Sequence, residues 1–116
     1  MTLWANKALE YLESEYEHSC DLFDLRALAP LNLDSIQESI SKTGRLVVIT
    51  ESRSNVGFGA ELVAQITEKQ FSDLEAPPLR IASQNMPVPF AAELEADYRP
   101  DTDSILAAMI TWIESE

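Results

Sequence analysis

Cysteine and histidine are nearly missing from these 116 residues: each occurs once, as Cys20 and His18. One cysteine makes no internal disulfide, and a single histidine beside it supplies no zinc ligand set. Cys20 leads an apolar strand candidate, so a small buried side chain is the plain reading. The rival is a thiol nucleophile assisted by His18, two residues away on the same strand face. That arrangement needs a third group to orient it, and none is apparent.

Positive charge is also scarce. Lys and Arg number 8 against 20 Asp and Glu, a formal net charge of −12. Such a surface repels phosphates, which argues against nucleic acid, while it permits a basic protein partner. A solvated acidic surface is the plainer account. No apolar run approaches the roughly 18 residues of a membrane helix, and the start is no charged-then-apolar leader. A soluble cytoplasmic protein is the expectation. Internal repeats and low-complexity tracts are lacking as well.

What is present is a globular pattern, with 46% apolar and 8% aromatic residues. The length suits one domain, residues 1–116, with a single core. Trp4, Ala8, Leu9, Leu12 and Tyr16 recur at helical spacing, with Glu10, Glu13, Glu15 and Glu17 between them, and predict a helix from Ala5 to Glu17. Cys20 to Leu25 alternates weakly, as a short strand would. Pro30 breaks the chain, Asn32 is a candidate N-cap, and Leu33, Ile36 and Ile40 form the inner stripe of a second helix closed by Gly44.

Leu46-Val47-Val48-Ile49 is a continuous apolar run of the kind found in a covered parallel sheet. A polar loop from Glu51 to Asn55 should follow. Gly57-Phe58-Gly59-Ala60-Glu61 then opens a helix whose inner face holds Leu62, Val63, Ile66 and Phe71. Pro77-Pro78 precedes a strand from Leu79 to Ala82, and residues 83–99 read as an ordered extended loop. Asp101 caps a last helix, nearly encircled by Ile105, Leu106, Met109, Ile110, Trp112 and Ile113. Alternating helices and strands imply parallel strands with crossover helices, an α/β fold built as a three-layer α/β/α sandwich with a mostly parallel sheet.

The glycine block lies where a phosphate-binding loop would sit, because N–H groups at a helix start attract anions. It matches neither dinucleotide-binding nor Walker spacing, and Glu61 puts a negative charge where a phosphate would go. Gly57 and Gly59 suit a turn and a close approach of the helix to a neighbouring subunit, a packing or interface role. Asp24 and Arg26, two apart at a strand end, point the same way and read as a local ion pair or cap. Met86-Pro87-Val88-Pro89-Phe90 resembles a ligand for a proline-recognition domain, but such a ligand needs exposure and a longer polyproline helix. Catalytic, cofactor-binding and metal-binding residues are all read as none.

Three blocks in order carry a resemblance: Asp21-Leu22-Phe23-Asp24-Leu25-Arg26 running to Pro30-Leu31-Asn32, the glycine block, and Met86 to Phe90 continuing through Leu94-Glu95 to Tyr98-Arg99-Pro100. Together, over roughly residues 5 to 114, they resemble the C-terminal domain of the beta subunit of thiamine-diphosphate-dependent 2-oxo acid dehydrogenases, in the transketolase C-terminal-domain family. The resemblance implies an assembly domain of an enzyme that decarboxylates pyruvate or a branched-chain 2-oxo acid and passes the acyl group to lipoyl. Thiamine diphosphate and magnesium would sit in domains absent here, and this chain alone would be inactive.

The resemblance also implies subunit-interface roles for Asp24, Arg26, Gly57, Phe58, Gly59 and Glu61. The expected partners are the alpha subunit, the N-terminal beta-subunit domain and a basic subunit-binding domain of the acyltransferase core, which Glu114 and Glu116 would dock. Rival readings are the matching domain of a transketolase or deoxyxylulose-phosphate synthase, and a free-standing acidic interaction module.

Two departures stand out. Relatives commonly read Glu-Ala-Pro-Arg where this chain has Glu51-Ser52-Arg53-Ser54. They also have a leading strand and a Thr-Ile-Val-Thr-type strand before the helix that starts here near Ala5. Either residues 1–4 are a stub of that strand, or another chain supplies one, or the chain is a truncated or split gene product; self-association is expected.

Overall fold

In the first helix, α1 (Thr2–Tyr16), Ala5, Ala8 and Leu12 fall on one face and are buried, while Lys7, Glu10 and Glu13 face out. The computed structural model describes residues 2–23, 33–53, 57–83 and 100–115. Because α1 begins at Thr2, residues 2–4 form its first turn and are not a strand stub. The helix stops where Glu17 turns left-handed at φ 60, and the His18 N–H reaches the Leu12 carbonyl at 3.4 Å.

The strand expected from Cys20 corrects to irregular chain over residues 20–23, and Cys20 is exposed rather than buried. A short, weakly alternating run does not hold a strand without a ladder partner. Here the segment is tied sideways instead: Ser39 Oγ donates to Asp21 Oδ2 at 2.6 Å, leaving Leu22 and Phe23 40% and 41% exposed. Asp24 and Arg26 lie outside the described residues.

Helix α2 (Asp34–Thr43) buries Leu33, Ile36 and Ile40, as the spacing predicts. Asn32 lies outside the described residues; Leu33 flanks the helix and makes no side-chain cap. Gly44 closes it with φ 71, a left-handed conformation glycine adopts without a Cβ clash, and its N–H donates to the Ile40 carbonyl at 2.8 Å.

Strand β1 (Val47–Arg53) pairs in parallel with β2 (Leu79–Ser83), with Val47 opposite Leu79, Val48 opposite Arg80 and Ile49 opposite Ile81. The register shifts before Arg53 meets Ser83. The polar loop expected from Glu51 is therefore strand as far as Arg53. Ladder pairing to β2 overrides local polarity, since strand preference depends on context. Helix α3 (Phe58–Gln70) makes the crossover between the two strands and runs into a 3₁₀ turn at Phe71–Asp73.

Leu62 and Ile66 are buried on α3 and Val63 packs beside them, but Phe71 is 73% exposed, against expectation. The change from helix to 3₁₀ turn breaks the 3.6-residue period, so Phe71 rotates outward. Gln70 takes the buried place. Its Nε2 donates to the Gln37 carbonyl at 2.9 Å, to Asp73 Oδ2 at 3.2 Å and to Ser41 Oγ at 3.3 Å.

The last helix, α4 (Thr102–Glu114), starts at Asp101 with a capping box: the Ser104 N–H donates to Asp101 Oδ1 at 2.8 Å, and the Asp101 N–H donates to Ser104 Oγ at 2.9 Å. Ile105 and Met109 are buried, and Leu106, Ile110 and Ile113 pack around them. Strand alternation divides the core. Leu46 and Val48 join α2 and α3, while Val47, Ile49, Leu79 and Ile81 join α1 and α4. The result is a three-layer α/β/α arrangement on a parallel pair, in which each fully buried Leu or Ile contributes about 1.5–3 kcal/mol. Thr102 Oγ1 donates to the Trp4 carbonyl at 3.3 Å and ties α4 to α1.

Candidate functional site

Parallel α/β sheets bind ligands outside the carboxyl ends of their strands. At that end, β1 leads toward the glycine block and α3. Gly57 flanks the helix with φ 105 and ψ 170 and offers no side-chain cap, and its carbonyl accepts the Glu61 N–H at 3.4 Å. This positive φ strains any residue with a Cβ, so glycine is required for the turn.

Gly59 is buried for a different reason. A Cβ there would stand 3.2 Å from Thr50 Cγ2 and 3.3 Å from Val48 Cγ1. The close approach it permits within this chain is between α3 and β1. Phe58 is half-buried and packs on the cluster formed by α2, β1 and α3. Glu61 is exposed in the first turn, where its charge favours the helix dipole and its Oε1 accepts from Gln65 Nε2 at 3.0 Å. The sequence-predicted block is thus assembled as a turn and a packing joint, with a carboxylate where an anion would dock.

The Cys20 thiol is pushed above its ordinary pKa, first by burial among neighbouring atoms and then by the charges of Asp21 and Glu13. That holds it protonated, opposite to the shift of an activated nucleophile, although the residue as a whole is exposed. It lies on an open groove of about 460 Å³ between residues 20–23 and α2, lined also by Leu22, Phe23, Glu38 and Lys42. Among the described residues, no three His, Cys, Asp or Glu side chains gather to hold a metal.

Glu114 is exposed at the C-terminal end of α4, whose last turn holds no basic residue. A carboxylate there opposes the helix dipole. Glu116 lies outside the described residues, as do Met86 to Phe90 and Leu94 to Arg99. Sequence reasoning missed the Arg45 guanidinium stacked on Trp112, and Trp112 Nε1 donating to the Pro77 carbonyl at 2.9 Å. Helical spacing marks Trp112 as apolar, but no local signal announces partners from two distant loops. It also missed Ser83, wholly buried at the end of β2, whose Oγ has no hydrogen-bond partner among the described residues.

A parallel strand pair joined by a crossover helix and covered by helices on both faces defines a layered α/β domain. More particularly, residues 1–105 match the transketolase C-terminal domain, and the chain belongs to that family. It is 44% identical to the pyruvate dehydrogenase E1 component subunit beta of Leifsonia xyli over 95 residues, covering 82% of this chain and 28% of that protein. It is also 44% identical to the 3-methyl-2-oxobutanoate dehydrogenase subunit beta of Mycobacterium tuberculosis over 94 residues, covering 81% and 27%. With the mitochondrial pyruvate dehydrogenase E1 component subunit beta of Saccharomyces cerevisiae it shares 36% over 104 residues, covering 89% and 28%. The chain spans less than a third of the length of these relatives.

Proposed function

We propose that this chain is an assembly domain: the C-terminal portion of the beta subunit of a 2-oxo acid dehydrogenase that acts on pyruvate or a branched-chain 2-oxo acid. The observation that carries this reading is the likeness to such beta subunits over four-fifths of the chain, joined to a helix start whose glycines serve packing. The parent reaction is oxidative decarboxylation with acyl transfer to lipoyl. Its partners are the alpha subunit, the N-terminal beta-subunit domain and a basic acyltransferase domain.

Thiamine diphosphate with magnesium belongs to the parent enzyme. The described residues do not fit it: Glu61 stands at the glycine-led helix start, and no ligand cluster for a divalent ion forms. Domain borders at 1–116 and interface contacts through Asp24, Arg26, Gly57, Phe58, Gly59 and Glu61 belong to the same proposal. Self-association of the chain belongs to it as well.

The test is calorimetry of the purified chain with thiamine diphosphate and magnesium, together with light scattering over a wide concentration range. No cofactor binding and a dimer or larger species are expected. Micromolar cofactor binding would overturn the assembly role, and a clean monomer throughout would overturn self-association. A transketolase or deoxyxylulose-phosphate synthase domain is less well supported, because the relatives named above are dehydrogenase beta subunits.

A further inference from the structure

We draw no further inference here: the strongest candidate, the open groove between residues 20–23 and α2, offers a lone cysteine beside the exposed Leu22 and Phe23, and nothing in the structure shows what covers it.

Discussion

The Arg45 guanidinium lies 5.3 Å from the centroid of the Trp112 ring, so a residue just before β1 clasps the last turns of α4. Among the described residues Arg45 Nη1 is buried without a hydrogen-bond partner, and the ring face lies beside the guanidinium. Trp112 is itself held by the Pro77 carbonyl. Trp112→Phe should weaken the stack and remove that hydrogen bond, costing about 1 kcal/mol in urea unfolding. A loss below about 0.3 kcal/mol would mean that the clasp contributes nothing.

The approach of α3 to β1 gives a second prediction. Alanine normally exceeds glycine inside a helix by about 1 kcal/mol. At Gly59 the new methyl would press on Thr50 and Val48 and cancel that gain. Gly59→Ala should therefore be neutral or destabilising alone, and more favourable by about 0.5–1 kcal/mol in a Thr50→Ser background, which lacks the facing methyl. Additive effects in the double-mutant cycle would refute steric contact at this joint.

Asp101 governs a pH-dependent cap. Its carboxyl is held below the usual carboxylate range, first by the Ser104 backbone N–H and then by the Ser104 side chain. A depressed folded value means stability present above the unfolded value near 3.9 and lost as pH falls through the folded value. Asp101→Ala should cost about 1 kcal/mol at pH 7, with the difference from wild type shrinking below about pH 4. A cost independent of pH from 7 to 2.5 would contradict the cap.

Cys20 should react slowly although it is exposed. Burial of the thiol and the charges of Asp21 and Glu13 raise its pKa, and the thiolate is the reacting species. Iodoacetamide labelling at pH 8 should be several-fold slower than that of a free thiol and should quicken in Asp21→Asn. Labelling as fast as free cysteine would rule out the raised value.

Docking of a basic acyltransferase domain, if it uses the acidic end of α4, should weaken about tenfold in Glu114→Lys with Glu116→Lys, and its salt dependence should flatten. Glu114 is exposed, so thermal unfolding should stay near wild type. Unchanged affinity by calorimetry would remove this patch from the interface.

Helical periodicity alone marked the faces of α1 and α2 that reach the core, because a 3.6-residue repeat encodes which side is apolar before any partner is known. Gly44 and Asp101 were equally legible, since a left-handed C-terminal cap and a side-chain N-cap are local geometries tied to particular residues. The length of β1 was not, because Glu51 to Arg53 become strand only when β2 is alongside. Nor was the outward turn of Phe71, which follows from a switch to 3₁₀ geometry while Gln70 satisfies α2. The glycine block suggested a close approach to a neighbouring subunit, whereas the approach the tertiary structure contains is internal, from Gly59 to Val48 and Thr50 of β1. Local residues specify periodicity and caps through short-range sterics, whereas ladder pairing and contacts between layers depend on residues brought together by the whole fold.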